Sequence, residues 1–140
     1  MLPTRLAMLL LWSVAMCIAG ESLSEIARWP ALVAQAKDRG IDYPAIATRA
    51  DRGDAEALST LFRLTPYTDA SGAESHCTVL RLLLQHLGDR RFSLVLRQER
   101  SDIRNHVTRA IDFDFGRPWQ KSFPLTYMLG SHDKSMSQGQ

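Results

Sequence analysis

Glu74-Ser-His-Cys-Thr-Val-Leu-Arg-Leu-Leu-Leu-Gln-His-Leu87 is the stretch that decides the fold. Cys77, Leu80, Leu84 and Leu87 recur at helical spacing, with Val79, Leu82 and Leu83 beside them. So wide an apolar arc predicts a central, buried helix, closed by Gly88. Cys77 falls on the arc, which predicts a buried thiol that does no chemistry.

Helical signals continue in both directions. N-terminal to the central helix, Asp54 is placed to cap a helix whose stripe is Ala57, Leu58, Leu61 and Phe62, ended by Pro66. Asp42-Tyr43-Pro44 opens another, with Ile46, Ala47 and Ala50 inside and Arg52-Gly53 as its stop. Trp29, Leu32, Val33 and Ala36 make a third face, started near Pro30 and ended at Asp38-Arg39-Gly40, after a short turn at residues 23–27. C-terminal to the central helix, Asp89 caps a helix with Phe92, Leu94, Val95 and Leu96. Ser101 caps the next, with Ile103, Val107, Ala110 and Ile111 inside.

Three segments are less regular. Residues 65–73 (TPYTDASGA) have loop composition. Ile111 to Phe115 alternates with period two, as a short extended piece or a frayed helix end. Trp119, Phe123, Leu125, Tyr127 and Met128 predict an apolar flap laid on the helices. The fold class is therefore all-α: an irregular bundle of about five to six short antiparallel helices, or stacked helix pairs, over residues 21–128. Residues 129–140 are polar and small and are expected to be a disordered tail.

Arg52-Gly-Asp-Ala-Glu-Ala-Leu58 resembles the Gly-Asp-x-x-Ala-Leu junction of Sel1-like and related α-helical repeat proteins. A second Gly-Asp follows 35 residues later, at Gly88-Asp89. The resemblance covers about 50 residues. It implies stacked antiparallel helix pairs and a binding or adaptor role.

The chain has 140 residues, 45% hydrophobic and 23% charged, enough for one compact domain. Residues 1–20 read as a signal peptide: Arg5, an apolar run over residues 6–19, then small residues at which cleavage after Ala19 fits. The run is shorter than the roughly 20 residues that cross a bilayer. An uncleaved anchor and a lipoprotein acylated at Cys17 are the alternatives, although Met16 departs from the lipoprotein pattern. The protein is thus expected to be exported, periplasmic or secreted, with no transmembrane segment after cleavage. Cys77 is then the single thiol, which excludes an internal disulfide, CxxC redox chemistry and cysteine-rich zinc modules. The formal net charge is +2. So weak a balance gives no reason to expect nucleic acid.

No phosphate loop, GxSxG, HExxH or CxxC occurs. His76 and His86 are ten apart on one helix and face different ways. Asp102 and His106 are one turn apart, which is too few groups for a metal. Ser131-His132-Asp133 contains triad residue types, but as neighbours they lack the geometry of a triad. Asp112 and Asp114 would share one face of a strand, with Arg109 and Arg117 near enough in sequence to pair with them. No catalytic, cofactor or metal residues are assigned.

What remains is a run of seven arginines from Arg81 to Arg109, against Asp89, Glu99 and Asp102. Arg90, Arg91, Arg97, Arg100 and Arg104, with Tyr67, are the candidate binding residues. They suit another protein or an acidic envelope component. Trp119 and Tyr127 would join them if exposed. The expected function is that of a non-catalytic exported protein that binds a macromolecule, as an adaptor or an inhibitor or immunity-type protein. The alternative is a small hydrolase of envelope polymers using Asp112, Asp114 or a histidine.

Overall fold

The computed structural model describes residue 20 and residues 22–130. The expected signal segment, Cys17 and the tail from Ser131, including Ser131-His132-Asp133, lie outside the described residues. The described residues are all-α, with eight helices and no strand: α1 (Leu23–Ile26), α2 (Pro30–Lys37), α3 (Tyr43–Asp51), α4 (Ala55–Leu64), a 3₁₀ turn (Thr65–Tyr67), α5 (Ala70–Leu87), α6 (Asp89–Leu96), α7 (Ser101–Phe115) and α8 (Pro124–Tyr127). None is long and apolar enough to cross a membrane.

The first four helices each start for a local reason. Ser22 and Glu25 form a reciprocal capping box on α1. Pro30 sits in the first turn of α2, where its missing N–H costs nothing. Asp42 accepts from the Ala45 amide, and Asp54 from the Glu56 and Ala57 amides at 3.0 and 3.1 Å.

The two Gly-Asp junctions differ. Gly53 and Gly88 both take positive φ, +90° and +84°, where a side chain would be strained. Asp54 then caps its own helix, but Asp89 does not. It is the first residue of α6, and its carboxylate accepts from the Leu125 and Thr126 amides at 2.8 Å. Asp89 therefore caps α8, 36 residues on, and pins the C-terminal flap. Ser101 likewise begins α7, with Arg100 at the cap position.

The segment expected to be a loop at residues 65–73 is mostly helical. The 3₁₀ turn continues α4 past Leu64, and α5 starts at Ala70 instead of Glu74. The cause is a clamp from α2. Gln35 Nε2 donates to the Asp69 carbonyl and carboxylate, and Gln35 Oε1 accepts from the Asp69 amide. Gly72 makes room for it: a Cβ there would lie 2.4 Å from Gln35 Oε1.

α5 is the axis of the bundle and touches α1, α2, α3, α6 and α7. Its buried stripe is Gly72, His76, Val79, Leu80, Leu83 and Leu84. Cys77 lies about 100° round from His76, at the edge of this stripe, and is half-buried instead of buried. Phe62 and Phe92 meet edge to face at 4.9 Å across α4 and α6.

Ile111–Phe115 is the last turn of α7, not an extended piece. The aromatic flap forms as expected. Trp119 is buried against Phe115 and Tyr127, and its indole N–H donates to Asp112. Packing runs two residues past the expected end at 128. Leu129 meets the core, and Gly130 lies so close to Thr108 that a Cβ would fall 2.3 Å from its hydroxyl.

Candidate functional site

The arginines predicted as one surface divide into two groups. Arg90 and Arg91 are exposed in the first turn of α6, where they line an open hollow with Leu87 and Leu94. Arg97, Arg100 and Arg104 lie at the junction of α6 and α7, and the 3₁₀ turn brings Tyr67 beside Arg100. There, Arg63, Tyr67, Gln98, Glu99, Arg100 and Ile103 line a cleft of about 360 Å³.

Glu99 anchors this cleft. Its side chain is 5% exposed. The Ser59 hydroxyl donates to one carboxylate oxygen, and Arg63 Nε donates to the other at 3.0 Å. Ser59, Arg63 and Tyr67 follow one another at intervals of four along α4 and the turn beyond it. The carboxylate thus ties the α6–α7 junction to α4, and only one of Arg63's donor groups is used.

Arg100 pairs with Asp102, through Nε at 3.1 Å and a shorter contact from Nη2. The Arg100 hydrogen bond is the main reason that the Asp102 carboxyl is lowered to about 2. The partner of Asp102 is thus Arg100 and not His106, one turn on. Arg104 points Nη1 at the carbonyls of Arg97 and Glu99, both at 3.4 Å, while its buried Nε meets no acceptor among the described residues.

Tyr67 is 53% exposed, and the Arg39 guanidinium carbon lies over its ring, 3.3 Å from the centroid. Arg39, Arg97 and Arg104 form no ion pair with a described carboxylate. Arg97 and Arg104 are not among the residues that line the cleft; Arg63, Arg100 and the Arg39 guanidinium beside Tyr67 stand there against Glu99 and Asp102, an excess of one positive charge. Arg39, Arg63 and Glu99 were not among the predicted site residues. Asp38-Arg39-Gly40 carries only the signature of a helix stop, and the spacing of Ser59 and Arg63 marks a shared face without naming its partner.

Behind the same turn is a second polar group, fully buried. Tyr43 Oη lies 2.6 Å from His76 Nδ1, and His76 Nε2 lies 2.9 Å from Thr65 Oγ1. Thr65 donates its one hydroxyl proton to the Leu61 carbonyl. It must then accept from His76 Nε2–H, which leaves Nδ1 to accept from the Tyr43 hydroxyl. Each donor in this chain has an acceptor, and the imidazole is neutral. Burial lowers His76 to about 4 and raises the Tyr43 phenol well above its ordinary value. His86 is elsewhere, paired with Asp51 at 2.5 Å.

The remaining candidates stand apart. The helical backbone turns Asp112 and Asp114 roughly 200° from each other. Asp112 takes the Trp119 indole, and Asp114 takes Thr78 and Arg81, not Arg109 or Arg117. Trp119 is buried and Tyr127 half-buried, so neither joins Tyr67 at the surface. Burial, with Asp114 as a second cause, pushes the Cys77 thiol up to about 11, away from its reactive thiolate form. Among the described residues, no group of three or more His, Cys, Asp or Glu is arranged to hold a metal.

Compared with protein-family models, curated proteins and solved structures, the chain has no significant match.

Proposed function

We propose that this is an exported, non-catalytic helical protein that binds another macromolecule, as an adaptor or an inhibitor or immunity-type protein, through the cleft beside Tyr67. One observation carries the reading: an exposed aromatic ring, Arg63 and Arg100 line one concavity, and Arg39 lies over that ring, so that these three cations outnumber the carboxylates of Glu99 and Asp102. Aromatic and arginine side chains are the residues that carry affinity at protein surfaces. The Glu99 anchor and the buried His76 group behind the turn give that surface a rigid support. Export rests on Arg5, the apolar run and the small residues up to Gly20.

Two measurements test this. N-terminal sequencing of protein from the envelope or medium should begin near Gly20; an intact Met1 in a cytosolic fraction overturns the export claim. Envelope extract is then passed over immobilised protein and over an Arg39→Glu/Arg100→Glu variant. A partner retained by the first and lost by the second is expected. Retention of the same proteins by both overturns the assignment of the cleft.

A further inference from the structure

We infer that the cleft is a carboxylate receptor for an acidic segment of a partner protein, with Arg39 as its main fork and Tyr67 as the residue that positions it. This rests on the macromolecule-binding reading above and names the chemistry of the ligand.

Some donors of the cleft are already engaged. Arg63 gives Nε to Glu99 and keeps both terminal nitrogens. Arg100 gives Nε and Nη2 to Asp102 and keeps Nη1. The Arg39 guanidinium gives none to a described acceptor; its contact is the Tyr67 ring face. A guanidinium lying over an aromatic face is held in place while its N–H groups point sideways, in the plane where a carboxylate binds bidentately. Fixing the fork beforehand lowers the entropy cost of closing it on a ligand.

Size and shape select the ligand class. About 360 Å³ is room for a short peptide segment and not for a folded surface. Its walls combine cations with the Tyr67 ring and Ile103, which is 9% exposed and therefore recessed. A short peptide that carries an apolar residue beside its carboxylates matches both properties. A lipid surface needs cations on a broad face with apolar side chains protruding to insert. Here the cations surround a concavity, and the apolar wall lies inside it. Glu99 and Asp102 do not repel such a ligand strongly, because each is already neutralised by an arginine of the cleft.

Fluorescence anisotropy tests this on the mature protein with a short labelled peptide in which two Glu flank one Phe, and with its Gln counterpart. The Glu peptide should bind about tenfold more tightly than the Gln peptide, the worth of one good charge-assisted bidentate pair. Arg39→Gln should remove that advantage. Arg39→Lys should fail to restore it, since an ammonium has no fork. Tyr67→Ala should weaken the Glu peptide several-fold, and adding Arg39→Gln to it should cost less than Arg39→Gln costs alone. Arg28→Gln, in a different hollow near Pro44, controls for general charge and should leave binding unchanged. Equal binding of the two peptides, or wild-type binding by Arg39→Gln, overturns the receptor. So does retention on phosphatidylglycerol vesicles without binding of the Glu peptide. Those results leave envelope capture to decide the wider reading, so the two failures are distinguishable.

Discussion

Thr65 and Tyr67 stand two residues apart on one 3₁₀ turn, and their side chains enter opposite environments. Thr65 faces inward to His76, in a chain in which each donor has an acceptor. Tyr67 faces outward to Arg39 and the cleft, where donors are left over. The inner group is electrically neutral and closed, whereas the outer one is charged and open. A buried polar group without a partner costs the fold directly, so the inner chain has to be complete. An exposed guanidinium is satisfied by water and can exchange that water for a ligand. The comparison separates residues that hold the turn from residues that the turn displays.

The largest effect should come from breaking the inner chain. His76→Ala removes a buried ring and leaves the Tyr43 hydroxyl without an acceptor. The cavity and the unpaired donor together should cost about 3–5 kcal/mol. That is a large share of a small domain's stability. Urea unfolding measures it, with His76→Gln as a milder variant that keeps polar atoms in the site. A loss under about 1 kcal/mol for His76→Ala would remove the inner chain from the account.

Acid should attack the same group. The unfolded imidazole takes its proton near 6.5, and the native one only near 4. Between these values the unfolded state binds more protons, so stability falls as pH falls from 6.5 to 4. A gap of two to three pH units corresponds to about 3 kcal/mol in all. Above 6.5 the imidazole is neutral in both states and contributes no slope. Urea midpoints at pH 7, 5.5 and 4 should show this loss in wild type and a smaller one in His76→Gln. Parallel curves for the two proteins would mean that other groups set the acid sensitivity.

Glu99 lies between the two regimes, buried like His76 but paired with an arginine that is 68% exposed. Solvent screens that ion pair, so most of its stabilising worth comes from the Ser59 bond and from packing. Glu99→Ala should cost about 1–2 kcal/mol in urea unfolding and should also weaken binding at the cleft, because Arg63 loses its anchor. Lost stability with intact binding would uncouple the anchor from the site.

The helices were legible because their signals are local. Apolar spacing, Asp42 and Asp54 as caps, and Gly53 and Gly88 as stops all act within one or two turns. What was not legible depends on contacts between distant residues. Gln35 converts the Asp69-to-Gly72 segment from loop composition into the start of α5, from 34 positions away. Asp89 reads as the cap of the helix it begins, yet caps α8 instead. His76 is the instructive miss. It lies three, four and seven positions before Val79, Leu80 and Leu83, on the stripe itself. A polar residue there signals a buried partner, but not that the partners are Tyr43 and Thr65. The cleft was half visible. Tyr67 and the arginines of the α6–α7 junction were readable as exposed cations and an aromatic ring. Arg39 and Arg63 reach them only through the packing of α2 and α4 against the rest.

The smallest stability effect should come from the outer side of the turn. Tyr67→Ala removes a half-exposed ring that makes a cation–π contact at the surface, worth about 0.5–1 kcal/mol at exposed sites. Part of that is recovered as the Arg39 side chain regains freedom and hydration. The net change should be within about 0.5 kcal/mol, like other surface substitutions that leave no buried group unpaired. Arg39→Gln should behave likewise. Both variants should therefore have urea midpoints close to wild type while losing affinity for the Glu peptide, whereas His76→Ala should lose stability first. If Tyr67→Ala instead destabilised the protein as much as Glu99→Ala does, the ring would belong to the support of the turn. Its exposure would then no longer count as evidence for a binding surface.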